Sequence, residues 1–271
     1  MRKQRIIALV MVFCLSFSCF MITGTQNSFA ASKSKVYVIT KMDAKKYDED
    51  DSFVDSSKMI LSVAYYKNGL VKTGTMSNED GSLKQKTKLT YKNKTKLKSS
   101  KSNLLFLDMK VSTTSKTFTT NSKGLVTKYK YYNDKGKLED VYKFTWNKRN
   151  KVTKERRYSA KGKLKETKTI SYSADGKRKS TKTYSANGKL KSKVTYEYKE
   201  NMHIDREYDP KGKQISITYV KLDKHGNRIS QEQYDMNGNL TSSAKYTYRL
   251  VKTSKKTIVK GQQEILADIA I

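Results

Sequence analysis

Residues 184–198 read Tyr-Ser-Ala-Asn-Gly-Lys-Leu-Lys-Ser-Lys-Val-Thr-Tyr-Glu-Tyr. The stretch has two halves. Ser185 at the first position of a four-residue step and Gly188 at the fourth form the signature of a type I turn. Beyond the turn, Leu190, Ser192, Val194, Tyr196 and Tyr198 fall on alternate positions, and period-two alternation of this length means a strand. A turn that opens into an alternating run is half of a β-hairpin.

The same phrase recurs. It reads YNDKGKL from Tyr132, YSAKGKL from Tyr158, YSADGKR from Tyr172, YDPKGKQ from Tyr208 and YDMNGNL from Tyr234. Turn glycines stand at Gly124, Gly136, Gly162, Gly176, Gly188, Gly212, Gly226 and Gly238, separated mostly by 12 or 14 residues. Asn150 fills the vacant place between Gly136 and Gly162. The unit is therefore 26 residues, one long and one short strand, with a register slip at Met202. Fixed self-similarity makes an array. Weak copies at Tyr65–Gly69, Gly81 and Tyr91–Thr95 carry it upstream to residue 58, so it covers 58–250 and is most regular over 124–250.

The turns can be typed further. Lys135, Lys161 and Lys211 precede their glycines, and a two-residue type I′ loop would drive them to positive φ. A type I turn with Gly in the left-handed position of a bulge avoids that strain. Pro210 is the one proline, and it holds the second turn position that suits its fixed φ. The expected fold is all-β: an elongated antiparallel meander of hairpins, free to stay open or to curl, with short terminal extensions. One face is partly apolar and the other wet.

The phrase resembles the YD repeats of RHS-type bacterial proteins, with Tyr208-Asp209, Tyr234-Asp235 and Asp223–Asn227 closest to their pattern. It is more faintly similar to bacterial MORN-variant repeats. The resemblance covers about Gly124 to Tyr248 and implies a repeat sheet with a hint of glycan or surface contact.

The flanks differ from the array. Residues 1–30 read as a secretory signal: Arg2, Lys3 and Arg5, an apolar run from Ile6 to Ile22, then Ser28-Phe29-Ala30, with cleavage between Ala30 and Ala31. The rival is an uncleaved anchor. Cleavage leaves no stable membrane insertion. Residues 31–57 hold a strand at Lys35–Thr40 and an acidic loop with Asp48, Glu49, Asp50, Asp51 and Asp55. A calcium loop would want a central glycine, absent here. Lys58–Tyr66 and Asn103–Val111, the most hydrophobic mature segments, are expected as central strands. Residues 251–271 hold a strand at Lys256–Lys260 and a short helix over Gln262–Ile271 that caps the array.

Composition narrows the function. Both cysteines, Cys14 and Cys19, lie in the signal, which removes disulfide and thiol chemistry from the mature chain. The formal charge is +32, or +29 without Arg2, Lys3 and Arg5, and 47 Lys but only seven Arg follow residue 30. Lys is a hydrated point charge and Arg a bidentate reader of phosphate, so the balance favours diffuse attraction to polyanions. Lys also keeps exposed sheet edges from pairing with other chains. Apolar residues with Gly number 92 of 271, below the usual ~45–50%. Each repeat is therefore expected to lean on its neighbours, with the 19 tyrosines supplying much of the buried area.

No nucleophile elbow, zinc-protease helix or phosphate loop is present. His203 and His225 lie at turn positions and are expected to be exposed. Asp140 and Glu166 are expected to pair with Lys across strands, and Trp146 to be a packing residue. These features point away from an enzyme and imply no cofactor and no metal. The leading expectation is a secreted or cell-surface, non-enzymatic repeat protein, from a Gram-positive bacterium, that binds an anionic wall polymer or surface glycan. The contacting residues would include Lys161, Lys163, Lys177, Lys189, Tyr158, Tyr172 and Tyr184. The alternative is an extracellular spacer that recruits a protein partner through exposed sheet edges. Nucleic acid is disfavoured by export and scarce Arg. The structural turns are Gly136, Gly162, Gly176, Gly188, Gly212, Gly226 and Gly238.

Overall fold

A computed structural model describes residues 35–47, 53–65, 71–92 and 96–252. The signal with Ala30 and Ala31, the acidic residues 48–51, and the strand and helix expected over 256–271 lie outside the described residues. Sixteen strands follow one another: β1 (Lys35–Tyr47), β2 (Phe53–Tyr65), β3 (Val71–Asn78), β4 (Leu83–Lys92), β5 (Lys96–Phe106), β6 (Met109–Thr120), β7 (Val126–Tyr132), β8 (Leu138–Trp146), β9 (Val152–Ser159), β10 (Leu164–Tyr172), β11 (Arg178–Ser185), β12 (Leu190–Lys199), β13 (Met202–Tyr208), β14 (Gln214–Leu222), β15 (Arg228–Tyr234) and β16 (Leu240–Lys252). Each strand pairs antiparallel with the next, and β1 pairs with β16 from Lys35↔Lys252 to Lys46↔Ser242. The meander of hairpins is as the repeat predicts, and it curls to full closure as a barrel.

Closure decides between the two forms the repeat left open. The sheet takes the curled form. No strand edge stays unpaired among the described strands, so Lys residues guard no open edge. β1 runs on to Tyr47, and with β2 it supplies two staves of the same wall.

The turns take the form their residues dictate. At residues 133–137, Gly136 N–H donates to Asn133 O (2.9 Å) and Asn133 N–H to Lys137 O (3.0 Å). This is a type I turn closed by a glycine bulge, and the ladder slips by one residue between Tyr131 and Tyr132. The same pair of bonds recurs at 159–163, 173–177, 185–189, 209–213, 223–227 and 235–239. Asn and Asp at the first position hold the turn further. Asn133 Oδ1 accepts from the Lys135 and Lys137 amides, and Asp209 Oδ1 from the Lys211 and Lys213 amides. Gly188 has φ +79 with nothing near its absent Cβ, so glycine serves conformation there and not space. Asn150 holds the equivalent place at φ 56.

Two hairpins break the pattern. β12 and β13 join through residues 200–201 with Asn201 at φ 53, which is the slip seen at Met202. β5 and β6 join through Leu107 and Asp108, both at positive φ (47° and 59°). The segment Asn103–Val111, expected as a central strand, is thus a hairpin tip. Leu107, Met109 and Val111 are 61%, 65% and 46% exposed there.

The pleat sets which residues face inward. Directly paired residues share a face, and the chain of partners Tyr196↔Asp205↔Thr218 runs around the wall. Fully buried Leu89, Val220 and Thr87 lie on this inward face, whereas Lys143, Lys182, Lys221 and Lys245 on the other are exposed. The partly apolar face read from the sequence is therefore the interior. Its apolar contacts gather in two places. Met42, Ala44, Met59, Met76, Ala244 and Tyr246 pack along the β1–β16 seam. Leu89, Leu97 and Val126 pack under Tyr91, Phe118, Phe144 and Trp146. Each fully buried aliphatic side chain contributes ~1.5–3 kcal/mol. Trp146 Nε1–H also donates to Val126 O (2.8 Å).

Elsewhere the interior is polar. A round ring of sixteen strands tilted ~40° is ~30 Å across, too wide for side chains to fill. Along β9 and β10, inward Glu155, Arg157, Glu166 and Lys168 are only half-buried.

Candidate functional site

Up-and-down order sorts the turns onto two rims. Turns that follow odd-numbered strands share the front rim, and those that follow even-numbered strands share the back rim. The front rim carries Lys135, Lys137, Lys161, Lys163, Lys189, Lys211 and Lys213 on four successive hairpins, all exposed. Among the described residues none of these seven ammonium groups takes part in an ion pair. Successive hairpins along a sheet lie ~10 Å apart, so the lysines form an arc of ~30 Å.

The residues singled out from sequence are divided by this geometry. Lys161, Lys163 and Lys189 come together on the front arc. Lys177 lies on the back rim and pairs with Asp175 (3.5 Å). Tyr158 and Tyr184 stand on the outer wall just below the arc, paired across strands with Val141 and Thr167. Tyr172 sits near the back rim, where its hydroxyl donates to Val152 O (2.8 Å). Lysines cover outer-wall tyrosines: Lys143 Nζ lies 4.8 Å from the Tyr158 ring centroid and Lys193 Nζ 5.4 Å from that of Tyr208.

A cleft of about 520 Å³ opens on the back rim between residues 147–151 and 173–176. Two of its three cations are occupied: Arg149 Nη1 donates to Ala174 O (2.6 Å), Lys151 Nζ donates to Gly176 O, and Lys151 also lies over Tyr172. These contacts join neighbouring repeats, and Lys148, which also lines the cleft, stays exposed.

Inside the barrel, carboxylates meet cations one repeat away. Asp140 is 4% exposed and accepts from Arg157 Nη2 (2.6 Å) and Lys165 Nζ (2.6 Å). Burial pushes its carboxyl up, but the hydrogen bonds from Arg157 and Lys165 outweigh this and hold it below the ordinary range. Glu166 accepts from Lys191 (3.1 Å). Both carboxylates thus have the Lys partners their strand positions suggest.

Sequence reasoning missed one cluster. His225 is exposed in its turn, but His203 is 0% exposed, against the expectation of a turn residue. The two-residue turn at 200–201 starts β13 early and puts His203 inward, between Tyr198 and Val220 on the adjoining strands. Asp205, two residues on and 4% exposed, faces the same way. His203 Nε2 lies 3.6 Å from Asp205 Oδ1, beyond hydrogen-bond reach, and neither imidazole nitrogen has a protein partner. Burial drives the imidazole pKa down to about 3, helped by the Arg228 charge. Burial drives the Asp205 carboxyl up to about 7 against the pull of Arg228 and Arg178. Arg228 is itself buried, donates to Gln231 Oε1 (2.9 Å) and lies 5.9 Å from the Tyr246 ring centroid. The signal in the sequence was parity: His203 and Asp205 alternate in step with Tyr196 and Tyr198. Among the described residues no group of three or more His, Cys, Asp or Glu is placed to hold a metal ion.

Fold and rim together define a closed hairpin-repeat barrel with one basic arc. No family model matches the chain, and no curated protein matches it. Among solved structures it is similar to a porin-like protein from Bacteroides uniformis, with 16% identity and a TM-score of 0.47 over 78% of this chain and 96% of that one. It is also similar to a protein of unknown function from Bacteroides fragilis, with 16% identity and a TM-score of 0.32 over 42% of this chain and 92% of that one. A third likeness, to TcdB2-TccC3 without its hypervariable C-terminal region, has 12% identity and a TM-score of 0.30 over 79% of this chain and 15% of that one. At such TM-scores these likenesses carry no argument about kinship or activity, and they lend no support to a Gram-positive source. The resemblance to YD repeats rests on the turn phrase alone.

Proposed function

We propose that this protein is an exported, non-catalytic barrel that binds anionic polymers of the cell envelope or surface glycans along the front arc. The observation that carries the reading is the set of seven exposed lysines without ion pairs on four adjacent hairpins. A polymer with repeated negative charge lies along such an arc and collects many weak contacts. Tyr184 on the wall beneath offers a ring face to sugars, whereas Lys143 and Lys193 lie over the rings of Tyr158 and Tyr208. The outer wall supports a barrel that stands in water: Lys143, Lys182, Lys221 and Lys245 occupy positions where a membrane-spanning barrel needs an apolar band. Recruitment of a protein through open strand edges has no basis in a closed sheet.

The test is co-sedimentation of the protein with bacterial wall sacculi, intact and stripped of teichoic acid, across a salt series. Binding is expected with intact walls only and falls steeply with salt, since screening shortens to ~3 Å at 1 M. Charge reversal of Lys135, Lys161 and Lys211 abolishes it, whereas reversal of Lys123, Lys148 and Lys224 on the back rim leaves most of it. Binding undiminished at high salt, or equal loss from both rims, contradicts the reading.

A further inference from the structure

The β5–β6 tip sits on the front rim beside the basic arc, and its apolar exposure has no use in holding a hydrophilic polymer. Leu107 and Met109 are 61% and 65% exposed, and Val111 is 46% exposed in the bulge between Leu104 and Leu105. The tip is held in place: Leu107 N–H donates to Ser82 O of the neighbouring hairpin (2.6 Å). A turn of two residues at positive φ ordinarily takes Gly, Asn or Asp, yet here one of them is a leucine presented outward.

Two of the nearby acids are paired with lysines, whereas Asp80 and Asp134 on the flanking hairpins are exposed and make no ion pair among the described residues. Asp108 pairs with Lys84 (3.2 Å), and Glu79 pairs with Lys58 (3.3 Å). The next hairpin along the rim, residues 133–137, begins the run of unpaired lysines. At the far end of the arc, Met236 on the 235–239 turn is 47% exposed. Positive charge bracketed by apolar tips on one rim is thus the pattern to be explained.

We propose that the front rim docks on an anionic lipid bilayer, with Leu107 and Met109 entering the boundary between head groups and acyl chains. A soluble polyanion complements the lysines but gives the leucine and methionine nothing. A bilayer with anionic head groups complements both, since its surface attracts Lys and its interior accepts apolar side chains. Docking is peripheral, because the charged outer wall keeps the barrel out of the hydrocarbon. The inference shares the lysine arc with the polymer reading and adds the apolar tip, so one assay separates the two.

That assay is flotation of the full protein with vesicles rich in phosphatidylglycerol and with vesicles of phosphatidylcholine alone, run beside sacculus sedimentation. Leu107→Ser with Met109→Ser is the test variant. Both side chains are mostly exposed, so the fold is retained, and a melting curve checks it. The wild type is expected to float with anionic vesicles only, and the variant to lose about tenfold or more of its partitioning while sacculus binding stays unchanged. Met109→Trp is expected to strengthen partitioning and to add a blue-shifted emission component on vesicles. Failure of the wild type to float, or equal flotation of wild type and double-serine variant, overturns the proposal. Loss of sacculus binding with vesicle binding intact counts against the polymer reading alone.

Discussion

Replacing either member of the His203–Asp205 pair is expected to tilt the pH dependence of stability, in opposite directions. In the folded barrel His203 titrates at about 3 and Asp205 at about 7. Unfolded, they return to ~6.5 and ~3.9. Between about pH 4 and 6.5 each state therefore holds one proton on the pair, on Asp205 when folded and on His203 when unfolded. Stability changes with pH only when the two states bind different numbers of protons. The pair is thus silent in this window although each member is strongly shifted.

The single variants break the balance. In Asp205→Asn only the buried imidazole remains, with a folded pKa below its unfolded value. Its stabilisation is present above ~6.5 and is lost as pH falls, so stability relative to wild type rises with pH by ~1.4 kcal/mol per unit. In His203→Gln only the carboxyl remains, with a folded pKa above its unfolded value. Its protonated form fits the interior at low pH, and stability relative to wild type falls by ~1.4 kcal/mol per unit as pH rises toward 7. From pH 4.5 to 6 the variants diverge from wild type by ~2 kcal/mol each, with opposite signs. Urea unfolding at several pH values, with each variant referred to wild type at the same pH, reads this directly and cancels the other carboxylates. Three parallel curves would refute the reasoning.

Other consequences follow from the same geometry. Asp140→Asn removes a buried acceptor from between Arg157 and Lys165, and is expected to cost about 1–2 kcal/mol, because the half-exposed cations regain water. Since the Asp140 pKa is lowered, this contribution is present above the ordinary carboxylate range and is lost as pH falls through the lowered folded value, so in urea unfolding the gap between variant and wild type should narrow on acidification. Gly188→Ala meets no steric neighbour, so its expected cost of about 1–2 kcal/mol is conformational alone; thermal denaturation checks it. At Asn150, φ 56, Asn150→Gly is expected to change the melting temperature little, and Asn150→Ala to cost about 1 kcal/mol. Trp146→Phe keeps most of the apolar contact but leaves Val126 O without its indole donor, for a loss of about 1–2 kcal/mol by urea unfolding.

The turns and strands were legible because each is decided within a few residues. An Asn, Asp or Ser followed three residues on by Gly fixes the bulged turn, and alternation fixes the strand. Closure was not legible. The pairing of β1 with β16 joins segments about two hundred residues apart and depends on the strand number and coiling of the whole sheet. The β5–β6 tip was misread because Leu107 and Asp108 do without a glycine, so an apolar segment looked like one central strand. His203 was misread because its neighbour is a degenerate turn, and its burial comes from Tyr198 and Val220 on other strands. Lys161, Lys163 and Lys189 were named from the repeat, but only the alternation of turns between two rims separates them from Lys177.

The seam between β1 and β16 also sets the order of events in time. Every other pairing joins neighbours in sequence and forms through a short loop. The seam closes a loop of ~200 residues, which costs about 3 kcal/mol more in chain entropy than a five-residue turn. The hairpins are therefore expected to zip locally and the cylinder to shut last. Until it shuts, both outermost staves are sticky, and a crowded solution offers each a partner other than the right one. Ala44→Pro, which deletes a backbone donor in β1, should lengthen that interval. Pulse-labelled hydrogen exchange is expected to show late protection confined to β1 and β16, with a yield of monomer that falls as protein concentration rises. Uniform protection at all strands from the earliest times would show instead that the wall forms and closes in a single step.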